Sequence, residues 1–189
     1  MSNSKKRAAE DVDTTSKKTK KKRKASGVDS HEDDSLNTDL GDTSAWRSDR
    51  TQEKLATFME KFCQKPESLT KPPKKKGSPH TLIVAGAGLR AADLFAKHMK
   101  VAEQVEFLKN KKTGIGIGTP ARLIELIDNG ALSLEYLENI IVDASHIDQK
   151  KRGILDMKDT MLPLARFLSR KEFKERYVAD EKPISLIFY

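Results

Sequence analysis

Three short stretches carry the residues best suited to chemistry. Thr119-Pro120-Ala121-Arg122 puts a hydroxyl, a proline suited to the first position of a helix, and a guanidinium side by side. A helix starting at Pro120 leaves backbone N–H groups free at its end, so Thr119, that helix start and Arg122 make a candidate phosphate site. The bland reading is equally concrete: Thr-Pro is a common helix start, and Arg122 is spaced to pair with Glu125. Asp143 closes the apolar run Ile140-Ile141-Val142, and His146 and Asp148 follow it. One histidine between two acids in a polar loop predicts a solvated surface rather than a metal site. Gly86-Ala87-Gly88 opens like a dinucleotide fingerprint, but Ala91 stands at the third glycine and no acid ends a strand about twenty residues on. No phosphate loop ending in Gly-Lys-Ser/Thr occurs anywhere, and no serine, histidine and acid constellation stands out. The single cysteine, Cys63, excludes an internal disulfide and any cysteine-based zinc cluster.

These residues need a scaffold, and hydrophobic periodicity supplies one. Leu55, Phe58, Met59 and Phe62 recur at helical spacing, which predicts an amphipathic helix over 51–63 with Trp46 packing on the same core. Cys63 adjoins that apolar face and reads as a small buried hydrophobe. Four prolines and the run Lys74-Lys75-Lys76-Gly77 predict a loop or linker over 64–79. Thr81-Leu82-Ile83-Val84-Ala85 is a continuous apolar run, as expected for a strand buried on both faces. Helices are predicted over 89–99, 101–109, 119–128 and 154–176, and strands over 114–118, 140–143 and 184–189. Strands separated by helices pair in parallel, which predicts a three-layer α/β sandwich. In such sheets ligands bind beyond the strand carboxyl ends, which singles out residues 86–90, 119–122 and 143–146.

The 189 residues carry a net charge of +8, and the charge is uneven. From His80 to Tyr189 there are 17 basic and 15 acidic side chains, so most of the excess lies before the foldable part. Two basic clusters open the chain: Lys5, Lys6 and Arg7, then Lys17, Lys18, Lys20, Lys21, Lys22, Arg23 and Lys24. Their spacing fits a bipartite nuclear-import signal read by a nuclear import receptor, and a polycation also binds nucleic-acid phosphates whatever their sequence. Residues 25–50 then carry seven acids, and blocks of opposite sign with little apolar content predict a disordered tail over 1–45. No apolar run approaches the length of a membrane span, and the first residues lack the apolar core of a signal peptide. The expectation is an intracellular protein with no membrane partner.

The order of the motifs resembles the first RecA-like domain of DEAD-box RNA helicases. Gly88-Leu89-Arg90-Ala91-Ala92-Asp93-Leu94 stands where those enzymes have Pro-Thr-Arg-Glu-Leu-Ala, and Gly118-Thr119-Pro120-Ala121-Arg122-Leu123 where they have Thr-Pro-Gly-Arg-Leu. Val142-Asp143-Ala144-Ser145-His146 stands in place of Asp-Glu-Ala-Asp, and Ile184 to Tyr189 resembles the strand before Ser-Ala-Thr. Two departures bear on catalysis. The phosphate loop is absent, and Ala144 replaces the glutamate that would orient the attacking water. The resemblance therefore implies no working ATPase or helicase and no nucleotide cofactor, with Asp143 as a vestige of the acidic motif. It also implies that Arg90, Thr119 and Arg122 face an RNA backbone.

A group of degenerate relatives fits better still. From about Trp46 onward the chain resembles the Cms family of small-ribosomal-subunit biogenesis proteins, most clearly at GIGIGTPARLIELI and at LENIIVDASHIDQKKRGILDM, which contains Asp148-Gln149-Lys150. The resemblance implies residence in the nucleus and nucleolus, pre-ribosomal RNA and small-subunit precursor proteins as partners, and a role in pre-rRNA processing. Between Leu94 and Phe95 the chain lacks a stretch that other members carry. The expected architecture is thus a tail over 1–45, a helix and a Pro/Lys-rich linker over 46–79, and an incomplete RecA-like domain over 80–189. The expected function is a non-catalytic biogenesis factor. The alternative is a purely protein-binding nuclear module, such as a regulator of a true RNA helicase.

Overall fold

The run Thr81-Leu82-Ile83-Val84-Ala85 has no polar face to offer water, and the chain buries all five residues as the inner strand β1 (Thr81–Ala85). The computed structural model describes residues 41–71, 73–86 and 100–189. Here β1 pairs in parallel with β2 (Ile115–Gly118) and β3 (Asn139–Asp143), and β4 (Ser185–Phe188) pairs in parallel with β3. The sheet order is β2-β1-β3-β4. Register aligns the amino ends: Thr81 lies beside Ile115 and Asn139, and Asn139 beside Ser185.

The pleat sends alternate side chains to opposite faces, and each face has its own cover. Leu82, Val84, Ile140 and Val142 pack against Leu108 of α2 (Val101–Asn110), Leu123 and Leu126 of α3 (Pro120–Asp128), and residues of α4 (Lys158–Leu168) and α5 (Lys171–Tyr177). On the other face Ile83, Ile141 and Ile187 meet Leu55, Phe58 and Met59 of α1 (Leu55–Phe62). Trp46, Phe62 and Tyr189 complete that second core, as the spacing of α1 and the position of Trp46 predict. The described residues thus form an α/β fold with a parallel sheet between helices. The predicted helix over 89–99 and residues 1–40 of the tail predicted over 1–45 lie outside the described residues; within the rest of that tail the Gly41 N–H donates to the Leu186 carbonyl of β4 at 3.0 Å.

Sequence periodicity predicts one helix over 154–176, and the structure corrects this to two. Ile154 is not helical; it is 2 % exposed and lies on Gly86, whose added Cβ would stand 3.1 Å from the Ile154 Cβ. Burial over the end of β1 outweighs continuation of the apolar period. The second break falls at Ser169-Arg170. There the Arg170 carbonyl accepts from the N–H groups of Phe173 and Lys174 and starts α5. The Arg170 side chain bridges Asp128 (2.7 Å) and Glu172 (2.9 Å), fixing the corner.

The proline-rich stretch 64–79 is tied to the sheet along its length. The Gln64 N–H donates to Asn139 Oδ1 at 3.1 Å, and Ser68 Oγ to Glu138 Oε2 at 2.9 Å. Pro73, Gly77, Ser78 and Pro79 are buried. Gly77 has φ +64°, and a Cβ there would stand 2.5 Å from the Ala131 carbonyl oxygen, so only glycine fits. Its carbonyl accepts from Ser133 N–H at 2.7 Å, and its own N–H reaches the Lys111 carbonyl.

Cys63 follows α1 into the same core at 6 % exposure. Burial, with the Glu138 carboxylate adding to it, pushes its thiol up to about 12. The thiolate is the reactive form, so the native chain is expected to resist an aromatic disulfide reagent at mildly alkaline pH. One equivalent should then react promptly on addition of denaturant. Rapid labelling of the folded chain would show that the core around α1 opens. Among the described residues no helix is long and apolar enough to cross a membrane.

Candidate nucleic-acid interface at the strand carboxyl ends

The four strands of the described residues run the same way, so their carboxyl ends share one edge of the sheet. Topology alone therefore brings Thr119, Gly86 and Asp143 to that edge. Thr119 precedes α3 with extended backbone (φ −74°, ψ 153°) and Pro120 at the first helical position. Its hydroxyl makes no capping hydrogen bond, while its carbonyl accepts from Leu123 N–H at 3.0 Å.

Arg122 sits one turn into α3, and its side chain is 32 % exposed. One terminal nitrogen donates to Gln104 Oε1 of α2 at 2.9 Å, and Nε lies 3.6 Å from Glu125 Oε2. Both readings of Arg122 thus have a physical counterpart: the guanidinium stands at the correct edge, and neighbours already hold it there. Sequence reasoning missed Gln104, because its position 18 residues earlier on another helix carries no periodic signal. Arg90 lies outside the described residues, as do the ten basic residues of the tail.

Asp143 is buried at the end of β3. Its carboxylate accepts from the backbone N–H of Ser145 and from the Ser145 hydroxyl, an Asx-type turn that redirects the chain away from the sheet. Ala144, where the helicase motif has glutamate, donates its N–H to the Tyr189 carbonyl at 2.8 Å. The edge between β1 and β3 is filled by Ile154 on Gly86. His146 is half-buried, and among the described residues no group of histidine, cysteine, aspartate and glutamate side chains could hold a metal.

The loop after β3 is built around Asp148. Its carboxylate accepts from the backbone N–H groups of Lys150 and Arg152, both at 2.8 Å, and from the Arg152 guanidinium at 2.8 and 3.0 Å. The Arg152 backbone N–H is the main reason that this carboxyl is held below the usual range. Lys151 takes the left-handed conformation (φ 58°) inside the turn. Within Asp148-Gln149-Lys150 the acid therefore closes the loop on itself.

The model of the CMS1 family, described as "U3-containing 90S pre-ribosomal complex subunit", matches residues 35–95 and 92–189. The chain belongs to this family. Protein CMS1 of Chaetomium thermophilum is 56 % identical over 167 residues, covering 79 % of this chain and 66 % of the relative. Protein CMSS1 of Xenopus laevis is 33 % identical over 121 residues, and that of Homo sapiens 31 % over 121 residues. Each of those two alignments covers 56 % of this chain, with 44 % and 43 % of the respective relative. The chain spans less than two thirds of these relatives. The family match falls in two pieces that meet at residues 92–95, where the sequence predicts a missing stretch. In keeping with this, the 167 aligned positions of the Chaetomium relative exceed the 79 % of 189 residues that they use here, so the relative carries positions that this chain lacks.

Proposed function

We propose that the chain is a non-catalytic assembly factor of the small-subunit precursor, acting in the nucleus and nucleolus in pre-ribosomal RNA processing. The observation that carries this reading is the CMS1 family match across 35–189, together with that family's description as a 90S pre-ribosomal complex subunit. The parallel order β2-β1-β3-β4, a Thr-Pro helix start after β2 and an acid at the end of β3 support a degenerate RecA-like domain. The missing phosphate loop and Ala144 argue against nucleotide hydrolysis. The partners in this reading are pre-ribosomal RNA, small-subunit precursor proteins and an import receptor that reads the clusters from Lys5 to Lys24.

Affinity purification of the tagged full chain is expected to recover U3-containing particles with unprocessed ribosomal RNA. Recovery no better than from untagged cells removes the proposal. The RNA face is tested separately, in full chain whose ten basic tail residues are replaced by glutamine. In that background the Arg90→Gln/Arg122→Gln variant should bind labelled oligouridine about tenfold more weakly at physiological salt. Its salt slope should be shallower by about 0.7 for each phosphate that the variant no longer neutralises.

A second reading is a protein-docking module that makes no RNA contact. It is favoured by Ile147, Leu155, Met161 and Leu162, large apolar side chains exposed in one segment after β3, and by the engagement of Arg122 with Gln104 and Glu125. Absence of RNA binding by the full chain with the glutamine-substituted tail would favour it.

A further inference from the structure

The amino edge of the sheet gathers a charge that the sequence scatters. Lys71, Lys74, Lys75 and Lys76 precede β1, and Lys109, Lys111 and Lys112 precede β2, with no acid inside either run. Because β1 and β2 are parallel neighbours in level register, the two runs emerge side by side. Backbone contacts join them: Gly77 N–H reaches the Lys111 carbonyl, and an added Cβ on Gly114 would meet the Lys71 carbonyl at 3.3 Å. Buried Pro73, Gly77 and Pro79 pin the first loop while its lysine side chains stay exposed. Lys75 is held by Glu135 at 3.0 Å. The other six make no ion pair among the described residues.

Phe107 stands beside this charge. It is 41 % exposed, and it is the one aromatic among the exposed large hydrophobic side chains of the described residues. With Pro79, Thr113, Ile115 and Gly116 it lines an apolar cavity of about 380 Å³. Pro79 continues from the first lysine loop and Thr113 from the second, so the roots of both loops form part of the cavity wall, which also includes Gln104. Mobile point charges suit the irregular path of a phosphate backbone, and an exposed ring beside them suits base stacking. An acidic peptide would match the lysines but give Phe107 no planar partner.

We propose that the amino edge of the sheet is a single-stranded RNA-binding surface, with the two lysine loops on backbone phosphates and the exposed ring of Phe107 stacking a base beside them. This deepens the reading that RNA is a partner and rests on that reading alone, not on the carboxyl-edge arginines.

The test uses full chain with the glutamine-substituted tail, labelled oligouridine and a salt series. Replacing Lys71, Lys74, Lys76, Lys109, Lys111 and Lys112 by glutamine should weaken binding about a hundredfold at physiological salt and lower the salt slope by about 2–4. Phe107→Ala should cost about tenfold without changing the slope, and Phe107→Tyr should restore binding. Trp46 emission reports folding. If the six-site variant loses the native signal, the triple variants of each loop give the same reading. An unchanged slope in the lysine variants overturns the proposal, and so does competition by polyglutamate as effective as by RNA. Loss of binding in the arginine variant but not in the lysine variants overturns this inference and leaves the carboxyl-edge reading standing. The converse result does the reverse.

Discussion

Phe58→Ala is expected to destabilise the folded chain by about 3–5 kcal/mol, the range for removing a fully buried aromatic ring. Phe58 has no exposed surface and sits at the centre of the core beneath the sheet. Its ring centroid lies 5.5 Å from Trp46, 4.8 Å from Phe62 and 4.7 Å from Tyr189, in edge-on or tilted geometries that aromatic pairs favour. Ile83, Ile141 and Ile187 line the same cluster from three strands, so backbone already held by ladder hydrogen bonds surrounds the space left behind. Collapse there is limited, which places the cost toward the upper end. Domains are held by only about 5–15 kcal/mol, so a substantial unfolded fraction is expected at physiological temperature. Urea unfolding followed through Trp46, the single tryptophan, measures the change directly. A loss below about 1 kcal/mol would mean that α1 is not anchored to the sheet.

Arg176→Met should cost about 3 kcal/mol through a different mechanism. The Arg176 guanidinium donates to three backbone carbonyls: Leu134 at 2.7 Å, Leu137, and Lys182 at 2.9 Å. The first two belong to the loop entering β3 and the third to the loop entering β4. One planar fork therefore sets the spacing of two adjacent strands. Burial draws the Arg176 pKa below its ordinary value, opposed by the Glu138 carboxylate, and the group stays charged at neutral pH. Methionine keeps the apolar stem but removes all three charge-assisted bonds: the Leu134 carbonyl keeps the Leu137 N–H and the Lys182 carbonyl can turn to water, while the carbonyl of buried Leu137 is left with a desolvation cost of about 1–3 kcal/mol. Arg176→Lys should not rescue, because an ammonium cannot span the fork. Hydrogen exchange is the sharper measurement, since β4 amides should lose protection before those of β1. Full rescue by lysine would reduce Arg176 to a surface charge.

The central strands and α3 were legible because their signals are local. β1 announces itself as an uninterrupted apolar run, and Thr119-Pro120 fixes the start of α3. Likewise, α1 and the packing of Trp46 followed from a helical apolar period. What periodicity could not carry was long-range. Ile154 leaves the helical pattern because Gly86 offers it a seat, and Arg170 breaks the same helix by bridging to Asp128, 42 positions away. At the candidate interface, the place of Thr119 and Asp143 at one edge followed from strand parallelism, whereas the hold of Gln104 on Arg122 did not. The stretch 64–79 reads as a linker because prolines and lysines dominate it, yet its glycine and buried prolines lock it to the sheet.

The hydroxyl of Tyr189 reaches back to the carbonyl of Thr51, 138 positions earlier. During synthesis at about 5–20 residues per second, roughly 7–28 s separate the two ends of that contact. Through that interval Leu55, Phe58 and Met59 are already made, while Ile187 and Tyr189 are not. Until β4 is made, that helix face has only Ile83 and Ile141 of the sheet to pack against, so this side of the domain is the last to close during synthesis.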